Sequence, residues 1–424
     1  MLPMRIVVLL LIGLGVQACQ RDVPARSRVT IIGIDGATWR VIDPLLAAGE
    51  LPHMRALIEG GVRTRLRSKA PLVSPAVWTT IATGVFRKRH GILRFFSPSR
   101  DLFASTDRKV PALWNVASQA GLRSAVIGWW ATYPAETING AVISERALKI
   151  RESDVQDLGR DSNRAKNVDL QHLVSPPEVM DLVVDLVAAA PAETGQPHTP
   201  EAVVPRMRTE DAAVARSLLR LRKHQGPFDL EMILLRGVDP VSHYFWKYHE
   251  PEAEAYGPEE RPSADDIATH GQVIKDHYRY VDTLLGELDA RGSRDHVVLL
   301  ISDHGFEAGH QKFHHGTLSG THESEAAIHG ILVAAGGPFR AGAHLDEASI
   351  ADVTPTVLHA LALPVAADLE GRVLTEAFSE GWLTKHPIRE VPHFETTRQA
   401  PQAPGAKKID ERLHDELRAL GYVE

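Results

Sequence analysis

Aspartate and histidine recur in this sequence at spacings that suit a shared cation. Asp239 and His243 stand four apart in GVDPVSHYFW, and Asp303 and His304 are neighbours in VVLLISDHGF. Asp35 closes VTIIGID, and His322 sits in SGTHESE. Carboxylate oxygen and imidazole nitrogen are the donors that compact zinc sites combine. A four-residue spacing puts two side chains on one face if the segment is helical, and a turn also lets them converge. Ser74, in KAPLVSPAVWTT, adds a hydroxyl. Serine is a poor nucleophile until a base or a metal lowers its pKa, and no histidine stands beside this one, so a metal is its natural activator. Ser74 also suits the N-cap of a helix with Pro75 at its first position. The two roles are compatible, because a helix N-terminus is a place to bind phosphate.

The elements that must carry these residues read as strands alternating with helices. RVTIIGID, LRSAVIGWW, AVISE, FDLEMILLRGVD, DHVVLLISD and GILVAAGG are apolar runs of strand length. Three of them lead into an aspartate: Asp35, Asp239 and Asp303. Helical spacing appears over Val41–Glu59, stopped by Gly60-Gly61, and over Thr209–Lys223, the segment VIKDHYRYVDTLLGELDARG, and Asp352–Leu361. This alternation predicts an α/β sandwich with a largely parallel sheet, in which ligands gather at the carboxyl ends of the strands. Residues 151–208 are polar and Pro-rich and read as an inserted cap. Residues 386–424 read as a tail ending in an amphipathic helix, IDERLHDELRALGYV.

The composition is that of an ordinary globular chain. A net charge of -7 over 424 residues gives no overall attraction to a phosphate backbone, which argues against duplex nucleic acid as the main partner. The basic clusters Arg63–Lys69 and Arg87–Arg89 read as solvated or turn segments. At the N-terminus, Arg5 precedes an apolar run from Ile6 to Val16, too short to span a bilayer and suited to a signal-peptide core. It ends in Val16-Gln17-Ala18-Cys19, similar to a bacterial lipoprotein cleavage box, although Gln17 departs from the usual small or hydroxyl residue. The expectation is a signal peptide over 1–18, lipid attachment at Cys19, a linker over 19–28 and a catalytic domain over 29–385. The mature chain would then sit on the periplasmic side of the cell envelope. Gln20 rather than Asp after the cysteine favours the outer membrane. Cys19 is the only cysteine, so no internal disulfide forms.

As a set, these motifs resemble the alkaline phosphatase superfamily, and within it the type I phosphodiesterase/nucleotide pyrophosphatase branch. Thr83-Gly84 and His90-Gly91-Ile92 follow Ser74 at the family's spacing, and GVDPVSHYFWKY, ISDHGF, GTH and DVTPTVLHALALPVAADLEGRVL follow in the family's order. The resemblance covers about Val29 to Leu374. It implies an alkaline phosphatase-like three-layer sandwich and two divalent metal ions, zinc in the family. Asp35, Ser74, Asp303 and His304 would hold one ion, and Asp239, His243 and His322 the other. It implies attack by Ser74 on phosphorus, a covalent phosphoserine, and release by water at the second site. The substrate would be a small phosphate ester, of nucleotide or envelope type.

The chain also departs from the family. Its phosphodiesterases often carry threonine as nucleophile and an asparagine three positions later that contacts the phosphoryl oxygen. Here the residues are Ser74 and Val77, so diester preference over monoester does not follow from the motif. His329 reads as a weaker ligand candidate, and His310, His314 and His315 as loop or substrate-pocket residues. A sulfatase would need proline two residues and arginine four residues after the nucleophile, where Ala76 and Trp78 stand. A phosphomonoesterase, or a transferase of phosphate headgroups, shares the ligand set and stays open. A non-catalytic metal-binding lipoprotein is the reading from a different class.

Overall fold

The computed structural model describes residues 27–97, 101–150, 170, 172–183, 199–313, 316–395, 407–420 and 422. The expected signal peptide, Cys19 and much of the expected cap lie outside these residues, as do His314 and His315. Nine strands form the central sheet: β1 (Arg28–Ile34), β2 (Gly61–Arg67), β3 (Ser124–Ile127), β4 (Gly140–Ile143), β5 (Val174–Ser175), β6 (Leu230–Leu235), β7 (His296–Ile301), β10 (His329–Ala335) and β11 (Ala343–Ser349). A separate hairpin is made of β8 (Glu307–Phe313) and β9 (Gly316–Thr321). The strand order is β11-β2-β10-β7-β1-β6-β3-β4-β5. β1 pairs in parallel with both β6 and β7. β10 runs antiparallel between β7 and β2, and β5 antiparallel beside β4. The mostly parallel sheet expected from the sequence is therefore present, with two reversed strands.

Continuous apolar runs are what such a sheet requires, because it is covered on both faces. Along β1 and β7 alternate side chains enter two different cores. Ile32, Ile34, Val298 and Leu300 face one, with helices α1 (Trp39–Ala47), α2 (Pro52–Glu59), α4 (Pro200–Gln225), α5 (Val238–His249) and α6 (Val273–Glu287). Val29, Ile31, Val297 and Leu299 face the other, with α3 (Ser74–Thr83), α7 (Val353–Ala360) and α8 (Lys407–Ala419). This is the three-layer sandwich of the alkaline phosphatase fold.

Several boundaries differ from the sequence reading. The helix expected over Val41–Glu59 is two helices, because Gly49 turns the chain at φ +78 and Pro52 starts a new helix. The helix expected over Thr209–Lys223 begins at Pro200, so Pro200–Arg208 belong to the layer covering the sheet rather than to a cap. The strand expected to run to Asp239 stops at Leu235, and Asp239 lies in the first turn of α5. Arg63–Arg67 lie on β2, where Arg63 pairs with Asp43 at 2.8 Å and Arg67 with Glu325. The tail helix α8 buries Leu413 and Leu417 in the core shared with the sheet.

Helix α3 is fixed tightly against β1. The ring of Trp78 lies where a Cβ on Gly33 would be, 2.7 Å away, so only glycine fits under it. His90 braces the same helix from outside. Its Nδ1 accepts from the Ile92 amide at 3.1 Å, which leaves Nε2 to donate to Thr80 Oγ1, also 3.1 Å away. Burial holds the imidazole neutral, with its pKa lowered from 6.5 to about 3. A proton taken up by the unfolded chain but refused by the fold makes stability fall as pH drops from 6.5 toward 3. We expect His90→Ala to cost about 2 kcal/mol in denaturant melts at pH 7. The same variant should flatten the acid limb of the melting-temperature profile.

Candidate metal centre

The carboxyl ends of β1 and β7 are adjacent, and the turns leaving them carry Asp35 and Asp303-His304. The two turns are tied together. Ala37 N–H donates to Ser302 Oγ at 2.8 Å, and Ser302 Oγ in turn donates to the His304 carbonyl at 2.9 Å. Asp303 divides its carboxylate: Oδ1 accepts from the Gly36 amide at 3.3 Å, and Oδ2 is left for the site. His304 Nδ1 donates to the Gly305 carbonyl at 2.9 Å, so Nε2 presents a lone pair. That nitrogen is 3.5 Å from Asp35 Oδ1 and 3.5 Å from Asp303 Oδ2. All three of these atoms are buried and without a hydrogen-bond partner.

Asp239 and His243 lie one turn apart on α5, on the same face, as their spacing allows. The start of this helix is held by Asp211 of α4, whose Oδ1 accepts from the amides of Arg236 and Gly237 at 2.9 and 3.2 Å. His277 braces the other oxygen of Asp211 at 3.3 Å. His243 Nδ1 donates to the Gly320 carbonyl at 2.8 Å, which again turns the Nε2 lone pair inward. His322 follows β9 and stacks on His304 with ring centroids 4.0 Å apart. Asp239, His243 and His322 form a second buried triad, and Asp35, Asp303 and His304 the first. Within each, the donor atoms lie within 4.8 Å of one another. The two triads adjoin, with His304 Nε2 4.0 Å from Asp239 Oδ1.

Electrostatics make the same point. Burial, then the neighbouring carboxylates Asp303 and Asp239, push Asp35 well above its ordinary value. Burial also pushes Asp303 up to about 8. Burial lowers His243 and His322, so the imidazoles stay neutral and cannot balance the acids. A divalent cation reverses these shifts. His243 and His304 each orient a ligand nitrogen through a backbone carbonyl, which is the arrangement metal sites use. The donor set therefore fits the group.

Ser74 heads α3 at this edge of the sheet, because β2 runs parallel to β1 and the chain passes from Arg67 to Ser74 in a short loop. Val73, not Ser74, takes the N-cap position, and no side chain caps the helix. The capping role expected of Ser74 is thus not observed, since Ser74 is itself the first helical residue. The amides of Ala76 and Val77 both turn to the Val73 carbonyl, at 2.9 and 3.1 Å, and Pro75 has no N–H. Val77 is buried among apolar side chains and supplies no donor. His329 pairs with Glu347 at 2.7 Å, and His310 accompanies Glu260 and the Ala255 carbonyl, so neither joins a triad.

One residue in the site carried no sequence signal. Tyr422 follows α8, and its hydroxyl lies 2.9 Å from His243 Nε2 and 3.0 Å from His322 Nε2. It is also 3.1 Å from Asp239 Oδ2. Burial beside Asp239 pushes this phenol up, so without a cation it keeps its proton. Only the pattern of an aromatic residue just past an amphipathic helix marks it in the sequence, and that pattern is common.

A covered, mostly parallel sheet with two Asp/His groups at its carboxyl edge that could hold metal ions is the frame of a phosphoester hydrolase. The chain belongs to the type I phosphodiesterase/nucleotide pyrophosphatase family, whose model matches residues 29–394. Its fold is similar to that of murine ectonucleotide pyrophosphatase/phosphodiesterase 5, solved as an inactive form with AMP, at 13% identity and TM-score 0.52. That match covers 83% of this chain and 100% of the other. The human protein of the same name aligns at 14% identity and TM-score 0.50, covering 85% of this chain and 99% of that one. No curated protein matches the sequence.

The raised acids set a pH signature for the stripped protein. A folded-state pKa of about 8 against 3.8 means that the fold, not the unfolded chain, binds the proton between those values. Stability of the metal-free protein should therefore fall as pH rises through this window, and metal loading at pH 7 should expel protons. Thermal melts with and without chelator, and calorimetry in buffers of different ionisation enthalpy, measure both effects. Melts independent of pH and loading without proton release would contradict the electrostatic account.

Proposed function

We propose that the chain hydrolyses phosphodiester or pyrophosphate bonds through a covalent phosphoserine on Ser74, using two divalent cations, zinc in this reading. Asp35, Asp303 and His304, joined by Ser74, would hold one cation, and Asp239, His243 and His322 the other. The observation that carries the reading is the pair of adjoining buried triads, with donor atoms clustered and three of them unpartnered. When bound, the cations supply Lewis acidity: they neutralise the carboxylates, lower the pKa of the serine hydroxyl and offset charge developing on the phosphoryl oxygens.

The remaining work falls to the chain. Ser74 Oγ gives its proton to solvent and attacks phosphorus, the bond to the leaving oxygen breaks, and that oxygen takes a proton from solvent. Water then attacks the phosphoserine, the P–Oγ bond breaks, and the serine is restored. The rigid seat of α3 under Trp78 and His90 fixes the direction of attack, which is where positioning contributes to rate. The positive end of the α3 dipole favours the phosphoryl charge.

Val77 supports a second reading. With an apolar side chain where relatives often have asparagine, a monoesterase or headgroup transferase on the same ligand set is the competing function. The N-terminal signal further leads us to propose lipid attachment at Cys19 and a periplasm-facing, outer-membrane location. Among the described residues no helix is long and apolar enough to cross a membrane.

The deciding experiment compares metal-analysed protein on a nitrophenyl phosphomonoester and the matching diester. We expect the diester to be the faster substrate, and a diester rate far below the monoester rate overturns that preference. Ser74→Ala should keep its metal content and lose about a thousandfold or more in kcat. Activity retained in that variant removes the phosphoserine.

A further inference from the structure

The three polar atoms around the Tyr422 hydroxyl pose a hydrogen-bonding problem that the protein alone does not solve. His243 Nε2 is an acceptor, since its Nδ1 proton is already given to Gly320. Both oxygens of Asp239 are within 3.4 Å of the phenol. A phenol has one hydrogen, so it cannot satisfy the imidazole and the carboxylate together. Buried acceptors converging on a single donor are costly unless something positive stands among them.

The distances indicate what that is. Donor atoms about 2.0 Å from a tetrahedral zinc ion lie about 3.3 Å from one another. Tyr422 Oη is 2.9, 3.0 and 3.1 Å from His243 Nε2, His322 Nε2 and Asp239 Oδ2. Asp239 Oδ1 is 3.5 Å from His243 Nε2 and 3.7 Å from His322 Nε2. Distances of this length are also those of hydrogen bonds, but the phenol oxygen meets all three ligand groups at once and stands where a fourth vertex of their coordination polyhedron would be.

We propose that Tyr422 is a ligand of the second metal, completing the Asp239–His243–His322 triad from the C-terminal end of the chain. This rests on the two-metal reading above. The tail is built to deliver it. Glu416 of α8 is buried and pairs with Lys149, with Arg206 at 3.6 Å and with Arg236 at 3.8 Å. The Arg412 guanidinium donates to the Lys149 carbonyl at 2.9 Å. The Tyr422 ring rests on Phe95 with centroids 5.0 Å apart. Helix and ring are thus anchored independently of the hydroxyl, and Tyr422→Phe removes the oxygen while leaving both anchors.

Two measurements on the full chain test this. The first is metal affinity by chelator competition for wild type and Tyr422→Phe, with melting of the stripped proteins as the check on folding. We expect one of the two ions to be held about 10- to 100-fold more weakly in the variant and the other to be unchanged. Both ions held as in wild type would overturn the assignment. The second uses the wild type loaded with iron(III), which should show the visible charge-transfer band of a ferric phenolate, absent from Tyr422→Phe. A wild-type ferric form without that band also overturns it. A wild type that binds no ion at all would instead bring down the two-metal reading itself.

Discussion

Asp35, Asp239 and Asp303 bring three carboxylates into a region closed to water, and nearly everything else in the structure can be read as a response to that. Each carboxylate raises the cost of ionising the next. Burial keeps His243 and His322 neutral, and backbone carbonyls turn one ring nitrogen of His243 and of His304 toward the site, so the histidines add donors to the cluster. Arg236 is a buried cation that senses Asp35, but its guanidinium is already paired with Glu210 at 2.8 Å. Such a cluster is stable only where positive charge enters from outside the chain, and it stays open to a cation only if the fold resists its collapse.

The sheet supplies that resistance. The two acids at the ends of β1 and β7 sit on strands paired residue by residue, and the turns beyond them are cross-tied through Ser302 and Asp303. Gly36, at φ +74, brings the backbone so close to Asp239 that a Cβ would stand 3.2 Å from its Cα. Asp211 and His277 hold the start of α5 from the opposite side. Asp303, His243 and His304 each spend one polar atom on the backbone, which fixes the other. Preorganisation of this kind is paid in folding stability and leaves less to rearrange on binding.

The legible part of this in the sequence was local. A buried parallel strand reads as an uninterrupted apolar run, so the acid that ends it stands out, as at Asp35 and Asp303. Asp239 and His243 were visible through their spacing, although helix rather than strand carries them. What escaped depended on contacts between distant segments. The break between α1 and α2 turns on Gly49 and Pro52, which helical periodicity alone passes over. Neither Asp211, nearly thirty positions before Asp239, nor Tyr422, far beyond it, carries a pattern that ties it to that residue. Ser74 looked like a cap because its type and the following proline fit one, yet the helix begins a residue earlier than that reading needs.

The tail shows how far such long-range effects extend. As sequence, residues 386–424 read as a tail ending in an amphipathic helix, with nothing to tie its polar face to the site. In the structure one of those polar residues, Glu416, enters a buried group of Lys149, Arg206, Arg236 and Glu210, where the surrounding cations hold its carboxyl well below the usual range. Removing either partner from such a group leaves a buried charge uncompensated, at a cost of about 3–5 kcal/mol. Arg236 belongs to the segment that joins β6 to α5, immediately before Asp239. The helix that leads to Tyr422 and the segment that leads to Asp239 are therefore locked to the same ion-pair network. The end of the chain is part of the frame that sets the geometry of the second triad, and an account of that site that stops at the end of the sheet omits one of its supports.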